Sequence, residues 1–460
     1  MAIRAAFIVP HPPLIVPQVG QGSQLQIQDT IDAYKNVAKQ IGELAPETIL
    51  LISPHAPSYS DYFHIAGGSQ LRGDLSQFGG AQTIEASIDE ELVGEICRIC
   101  DEQNFPAGTL GGKDGKMDHG TFIPLYFVNQ YYKDYRLVVC SLSGLPRAQH
   151  YRFGLLMQEA ILNTKRKTIV IASGDLSHKL LERGPYGFAE EGPKLDAKLT
   201  DIMQSGNFLE FLTLDENLCL KGAECGLLSF VVMAGLLDQR EVSSTLLSYQ
   251  GTFGVGYGIA AFIVAGEDPS RNFGTLFKQE ENLQMQEIRK NEDAYVNLAR
   301  KTLEHYVRSD RLMPMPQELP QELLHEQAGV FVSIHKSGKL RGCIGTIGPV
   351  CESIAMEIMQ NAISAGTRDS RFPSITKEEF EQLVYHVDVL SAAKPVTDRN
   401  TLDPKRFGVI VTCGHKRGVL LPDLEGVDTV DDQIAIACQK AGITAHEKYE
   451  LEFFHVVRHT

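Results

Sequence analysis

Two histidines stand directly after two apolar segments near the start of the 460-residue chain. His11 follows AAFIVP (5–10), His55 follows TILLIS (48–53), and amphipathic spacing over 24–44 predicts a helix between them. This β-α-β pattern implies parallel strands, which we expect to be neighbours with carboxyl ends about 5 Å apart. Because open α/β sheets bind ligands beyond those ends, two imidazoles there predict a metal site, the alternative being that each histidine only caps its strand.

Two further segments carry side chains of the same kind. TIVIASGDLSH places Asp175 and His178 just after a predicted strand, and KMDHGTFIPLYF places Asp118 and His119 before an apolar run. A single ion rarely takes four histidine ligands from the protein. Some of these histidines are therefore expected to act as acid–base or pocket groups.

The third metal ligand is expected from KGAECGLLSF, where Glu224 and Cys225 begin an apolar helix. Two histidines and a carboxylate on one face leave open positions on Fe(II), whereas a cysteine favours zinc or a softer metal. Spacing does not choose between the two neighbours. Glu224 has the alternative role of an acid that interacts favourably with the helix N-terminus.

The elements that position these residues form an alternating pattern. Further strands are predicted at 136–143 and 168–173, and further helices at about 147–163 and 193–204. This pattern predicts an α/β domain with a mostly parallel central sheet over residues 1–265. A polar segment (266–285) predicts a linker, and the patterning that follows predicts a separate α+β domain over residues 286–460.

Composition narrows the class of protein. The apolar fraction is 43% and the net charge is −15, which favours a globular domain and argues against binding to nucleic acid or anionic membranes. The sequence has neither an apolar run long enough to cross a bilayer nor a signal-peptide pattern, so we expect a cytoplasmic protein. The nine cysteines are expected to be reduced thiols.

The motifs IVPHPPL, SPHAP, MDHGTFIPL and SGDLSH, in this order, resemble the class III extradiol ring-cleaving dioxygenase (LigB-like) superfamily over residues 1–265. The resemblance implies Fe(II) bound by His11, His55 and Glu224, with a catechol-like aromatic substrate and dioxygen at the open positions. It implies that His178 acts as catalytic base and then acid, and that His119 lines the substrate pocket.

The Memo branch of the same fold carries a Cys-Gly pair near the third ligand, as Cys225-Gly226 does here. That similarity keeps Cys225 open as the alternative third ligand and zinc as the alternative metal.

The second half carries its own candidate site in KLRGCIGT (339–346). Cys343 lies between glycines, and Arg341 is a nearby cation that would lower its pKa or bind an anion, the alternative being a hairpin with a buried cysteine. Residues 364–375 (SAGTRDSRFPSI) predict an ion-pair set of Arg368, Asp369 and Arg371. These motifs resemble the AMMECR family over 286–460, which implies an α+β fold for this domain.

The fusion resembles the A proteins of the AmmeMemoRadiSam system, which implies a separate radical SAM protein partner. Three functions follow as hypotheses: an Fe(II) extradiol-type dioxygenase, a metal-binding non-oxygenase component that works with that partner, and a zinc-dependent hydrolase that uses Asp175, His178 and Glu224. A homodimer is a plausible assembly.

Overall fold

The computed structural model describes residues 2–111, 115–336, 338–424, 426–444 and 446–460. The chain divides into two compact units, Met1–Gln279 and Glu280–Thr460. The first unit contains ten strands and nine helices among the described residues, and a tenth helix spans the division. The strands are β1 (Ile3–Val9), β2 (Thr48–Ser53), β3 (Phe63–His64), β4 (Gln70–Asp74), β5 (Thr83–Ser87), β6 (Ala107–Gly108), β7 (Arg136–Ser141), β8 (Thr168–Ser173), β9 (Arg240–Gln250) and β10 (Tyr257–Glu267). The helices are α1 (Pro17–Gly20), α2 (Gln28–Leu44), α3 (Glu90–Glu102), α4 (His119–Val128), α5 (Arg147–Thr164), α6 (Glu191–Ser205), α7 (Leu209–Thr213), α8 (Glu216–Gly222), α9 (Leu227–Leu236) and α10 (Phe273–Asn291).

The central sheet of the first unit has the strand order β7-β2-β8-β1-β10-β9. The first four strands are parallel, and β10 and β9 join antiparallel at one edge. This confirms the mostly parallel sheet. Every residue of β2 and β8 is buried, because helices cover both faces, and their sequences accordingly read as continuous apolar runs.

The expectation that β1 and β2 are neighbours was wrong, because β8 pairs with both and lies between them. Val9 pairs with Ser173, and Ile52 pairs with Ala172, so the three strands end at nearly the same level. The loops that follow β1 and β2 therefore meet above the end of β8.

The segment 266–285, predicted as a linker, is largely helical because it contains most of α10. Phe273 is the buried residue of this helix, and its amide donates a hydrogen bond to Asp238 Oδ1 at 3.1 Å. A helix with a single fully buried residue needs no continuous apolar stripe, which explains why the sequence lacked helical periodicity there.

The second unit is built on an antiparallel sheet with helices, in agreement with the α+β prediction. The strands are β11 (Gly329–Lys336), β12 (Lys339–Gly345), β13 (Leu383–Leu390), β14 (Lys394–Pro395), β15 (Phe407–Cys413), β16 (Lys416–Leu420) and β17 (Glu450–His459). They follow the order β12-β11-β13-β17-β15-β16, with β14 paired to β17. The helices are α11 (Ala294–Ser309), α12 (Gln321–His325), α13 (Ile354–Thr367) and α14 (Val430–Ala441). In the described part of the chain, no helix is both long and apolar enough to cross a bilayer.

Candidate metal centre

His11 and His55 meet above the carboxyl end of the central sheet. Their Nε2 atoms are 2.9 Å apart, and the two rings are arranged edge to face with centroids 4.7 Å apart. His11 is buried, at 2% exposure, whereas His55 is exposed to solvent. The structure thus brings together the two residues with which the sequence argument began.

A hydrogen-bond chain fixes which nitrogen of His11 faces the centre. Ser173, the last residue of β8, donates its hydroxyl hydrogen to the Gly120 carbonyl at 2.7 Å. Its Oγ lies 2.9 Å from His11 Nδ1 and therefore accepts a hydrogen bond from that nitrogen. His11 Nε2 is then the unprotonated nitrogen, and its lone pair points to the space shared with His55.

Cys225 is the third residue at this point. Its Sγ lies 3.6 Å from His11 Nε2, and the donor atoms of Cys225, His11 and His55 all lie within 4.8 Å of one another. The backbone holds Cys225 in place, since the amides of Cys225 and Gly226 donate to the Asp175 carbonyl at 3.4 and 3.1 Å. Glycine is required at 174 and 226, because a Cβ on Gly174 would lie 2.2 Å from the Gly226 Cα.

Glu224 is not brought into this group. Its Oε2 accepts a hydrogen bond of 2.6 Å from the amide of Leu227, the first residue of α9. Burial raises its pKa, although that hydrogen bond and Arg147 oppose the increase. Glu224 therefore takes the alternative role described above, that of an acid at a helix N-terminus.

His119 begins α4 and lies against the pair. Its ring stacks on His55 with centroids 4.2 Å apart and lies 5.3 Å from the ring of His11. The preceding residue, Asp118, accepts a hydrogen bond from the Thr121 amide at 3.0 Å and one from Ser53 Oγ at 2.6 Å. Asp118 thus positions His119 by capping the helix and by anchoring its start to the end of β2.

His178 completes the set of histidines predicted from the sequence. Its ring stacks on Tyr186 with centroids 4.9 Å apart. A ring nitrogen of His178, a carboxylate oxygen of Asp175 and the Cys225 sulfur also lie within 4.8 Å of one another. Asp175 is 7% exposed, and its Oδ1 accepts a hydrogen bond from the His11 amide at 2.9 Å. Sequence reasoning missed Tyr186, because it lies in a loop with no motif of its own.

A cavity of about 690 Å³ opens above these residues. Polar groups line one part of it and apolar or aromatic side chains line most of the remainder, which suits a small aromatic ligand. The polar group consists of His11, His55, His119, Asp175, His178, Arg183 and Thr252. The apolar and aromatic group includes Leu14, Phe78, Tyr186, Phe253, Val255 and Tyr257.

Burial controls the electrostatics of the cavity. It lowers the pKa of His11, His55 and His178, and together with His55 it lowers the pKa of His119 to about 4. These imidazoles are therefore neutral at pH 7 and carry lone pairs that can bind a metal or accept a proton. Burial also raises the pKa of Asp175 to about 7.

The donor set fits a divalent metal ion. Two neutral imidazoles and one sulfur converge, and the His11 lone pair needs a proton or a cation opposite it. In a tetrahedral zinc site, nitrogen and sulfur ligands are about 3.6 Å apart, which is the separation of His11 Nε2 and Cys225 Sγ. The two nitrogens are about 0.4 Å closer than in such a site, so a small movement of one ring accommodates the ion.

The candidate residues of the second unit are engaged in structural contacts. Arg341 binds Glu379 through two hydrogen bonds of 3.0 Å and donates another to the Pro373 carbonyl at 2.8 Å. The guanidinium that bonds to Cys343 is that of Arg371, which donates to the Cys343 carbonyl and is paired with Asp369. Burial raises the pKa of the Cys343 thiol, and the opposing effect of Arg371 is smaller.

Comparisons with known proteins agree with the two-unit architecture. Residues 5–260 match the family model of the catalytic LigB subunit of aromatic ring-opening dioxygenase, and residues 296–459 match the AMMECR1 model. A Clostridium acetobutylicum protein is 38% identical over all of this chain and 99% of its own length. A Thermotoga maritima protein is 50% identical over 33% of this chain and 88% of its own length. An uncharacterised protein of Pyrococcus horikoshii with a crystal structure is 28% identical, covers 36% of this chain and 88% of its own, and has a TM-score of 0.34.

Proposed function

We propose that this chain, which belongs to the family of the catalytic LigB subunit of aromatic ring-opening dioxygenases and carries an AMMECR1 domain, is a metal-dependent oxidoreductase. Its proposed substrate is a small aromatic molecule with two adjacent ring oxygens. The observation that carries the proposal is the meeting of His11 Nε2, His55 Nε2 and Cys225 Sγ beside a cavity that His119 and His178 line.

We assign the metal ligands as His11, His55 and Cys225, and the metal as Fe(II). When bound, the ion supplies orientation of the substrate oxygens and dioxygen and electron transfer between them. Dioxygen is the oxidant, and both of its atoms enter the ring-opened product, so the reaction needs no separate reductant.

His178 is the proposed proton acceptor for a substrate hydroxyl. Its pKa is lowered by burial and by His55, so the ring is neutral at pH 7 and can take that proton and later return it. Stacking on Tyr186 holds the ring plane in place. His119 is also neutral, and it faces the cavity as a hydrogen-bond partner for the substrate or for dioxygen.

The ligand assignment is tested by comparing Cys225→Ala with Glu224→Ala in protein purified and loaded with Fe(II) without oxygen. We expect Cys225→Ala to lose most of its iron, because it removes a donor atom, and Glu224→Ala to retain it. Metal content by elemental analysis is the measurement. Full iron in Cys225→Ala together with loss in Glu224→Ala would reverse the assignment.

The reaction is tested by oxygen uptake of the iron-loaded protein with a panel of catechols. We expect uptake with at least one catechol, and at least a hundredfold loss in His178→Gln with iron content unchanged, because general acid–base catalysis contributes about 10²–10⁴-fold. The readouts are an oxygen electrode and the absorbance of the ring-opened product. No uptake with any member of a broad panel would contradict the proposal.

A zinc-dependent hydrolase is the second candidate, and the presence of Cys225 among the donor atoms is the observation that favours it. Thiolate and imidazole ligands with one open position are typical of catalytic zinc, which activates water. This candidate predicts that zinc-loaded protein cleaves an ester or amide without oxygen uptake. Activity with iron but not with zinc would exclude it.

A further inference from the structure

The potential metal-binding atoms above the sheet form two sets that share one sulfur. The first set is His11, His55 and Cys225, and the second is Asp175, His178 and Cys225. Within each set the donor atoms lie within 4.8 Å of one another, and no set of described residues combines all five side chains at that distance. Since metal bonds to nitrogen, oxygen and sulfur are about 2.0–2.3 Å long, atoms on one ion are at most about 4.6 Å apart. One ion therefore cannot bind all five.

In the part of the chain that the structure describes, Asp175 lacks a charged partner and His178 lacks a hydrogen-bonding partner, and a cation would take the place of each. Asp175 is 7% exposed and accepts a hydrogen bond from the His11 amide, yet among the described residues no lysine or arginine forms an ion pair with it. Buried carboxylates are ordinarily paired or bind metals. Neither ring nitrogen of His178 has a hydrogen-bond partner in the described part of the chain, and both Asp175 and His178 face the cavity.

Cys225 is held between the two sets by the backbone. The Asp175 amide donates to its sulfur at 3.3 Å, while His11 Nε2 lies 3.6 Å from the same sulfur. A thiolate has enough lone pairs to bind two ions, and it prefers borderline or soft metals such as zinc.

We propose that Asp175, His178 and the Cys225 sulfur form a second cation site beside the first, with the thiolate shared, which takes a borderline divalent ion such as Zn²⁺. Because the shared thiolate already carries the ion of the first site, the second site binds more weakly and fills only in excess metal.

Occupancy of the second site has a consequence that rests on the proposed function. A bound ion takes the ring nitrogen with which His178 accepts the substrate proton. Excess Zn²⁺ is then expected to inhibit the iron-loaded enzyme, with an inhibition constant equal to the affinity of the second site.

The direct test is titration of the metal-free full chain with Zn²⁺ alone, with bound metal measured by elemental analysis after dialysis against a buffered zinc concentration. Co²⁺ serves as a spectroscopic probe, because each cobalt bound by the thiolate adds absorbance in the near ultraviolet. We expect both Asp175→Asn and His178→Gln to bind one ion fewer than the wild type and to lose the second absorbance step. His119→Gln is the matched control, since it removes a cavity histidine outside both sets, and it should bind as many ions as the wild type.

Cys225→Ser distinguishes two sites that share the sulfur from two sites of which only one uses it. If the sulfur is shared, this variant should bind two ions fewer than the wild type. Unchanged ion counts in both Asp175→Asn and His178→Gln, or the loss of a single ion in Cys225→Ser, would overturn the proposal. The proposed function fails separately, through the absence of oxygen uptake, because the ion count does not depend on turnover.

Discussion

The lone pair of His11 Nε2 depends on Ser173, which accepts a hydrogen bond from Nδ1 while it donates its own hydrogen to Gly120. Groups that orient a metal-binding histidine in this way usually contribute tenfold to a hundredfold to metal affinity. The His11, Ser173 and Gly120 atoms of this hydrogen-bond chain come from the loop after β1, the end of β8 and the start of α4. None of the local motifs indicated that they would form one chain.

We expect Ser173→Ala to weaken Zn²⁺ binding at the first site by about tenfold, because it removes the acceptor that selects the His11 tautomer. Competition with a chromophoric chelator measures the affinity. Ser229→Ala is the control, since Ser229 is also fully buried but its hydroxyl has no hydrogen-bond partner among the described residues. Equal affinities for Ser173→Ala and the wild type would show that the tautomer is fixed by another group.

A second prediction at this scale concerns Glu379, which is bonded to Arg341. Burial raises the pKa of Glu379, but hydrogen bonds from Arg341, the Thr376 amide and Lys336 outweigh that effect and lower it to about 2. A depressed carboxyl pKa stabilises the fold above the unfolded value of about 4.5, and this stabilisation is lost as the pH falls towards 2.

We therefore expect Glu379→Gln to lower the Tm at pH 7 and the difference from wild type to shrink steadily below pH 4.5. Thermal unfolding followed by circular dichroism between pH 2 and 7 measures it. Glu352→Gln, at an exposed residue with no ion pair in the described part of the chain, should leave the Tm within error at every pH. A difference that grew on acidification would contradict the sign of the pKa shift.

The residue types alone predicted His11, His55, His119 and His178 as site residues, because histidines next to apolar segments are uncommon and chemically specific. They could not choose between Glu224 and Cys225. That choice depends on Ala223, which ends α8 in the left-handed conformation with φ of +53°. The turn at Ala223 determines which of the next two side chains faces the histidines. Because glycine or asparagine usually occupies a left-handed position at the end of a helix, an alanine there gives no sequence signal for the turn.

At the scale of elements, the strands of the central sheet followed their apolar patterns, whereas α10 and the strand order did not. Period and length indicate that β1, β2 and β8 are strands, yet nothing local specifies that β8 lies between the other two. That order depends on long-range pairing and on the helices that cover each face. The predicted meeting of His11 and His55 does not depend on the strand order, because all three strands end at nearly the same level.

The packing of α5 against α9 is a long-range contact that covers one face of the sheet. It depends on Gly154 and Gly235, which lie where the two helices meet. A Cβ on Gly235 would lie 2.1 Å from the Tyr151 carbonyl oxygen and 3.0 Å from the Gly154 Cα. Because both obstacles are backbone atoms, Gly235→Ala must separate the helices, and we expect it to cost about 3 kcal/mol. Chemical denaturation measures the loss.

Gly94→Ala is the matched control for Gly235→Ala, since Gly94 also lies inside a helix, α3, but nothing lies within 4 Å of the added methyl group. It should stabilise the protein by about 0.5–1 kcal/mol through helix propensity. If the two substitutions changed stability alike, close packing of α5 and α9 would not be the reason for glycine at 235.

At the scale of the whole molecule, each unit has hydrophobic clusters of its own. Among the residues that the structure describes, one large cluster fills the first unit and three smaller ones lie in the second. All the residues assigned to the two metal sites belong to the first unit. Ligands that bind only a native site stabilise the structure that contains it, so metal and core substitutions should act on different unfolding transitions.

We expect calorimetry of the full chain to resolve two unfolding transitions. Added Zn²⁺ should raise the midpoint temperature of only one of them, that of the first unit. Ile358→Ala should lower only the other, since Ile358 is fully buried on α13 and truncation of such a residue costs about 2–5 kcal/mol. Cys225→Ala is the control for zinc, because it should abolish the shift while leaving the effect of Ile358→Ala intact. A single transition that moved under both changes would mean that the two cores unfold as one cooperative structure, and that metal binding in the first unit stabilises the AMMECR1 domain as well.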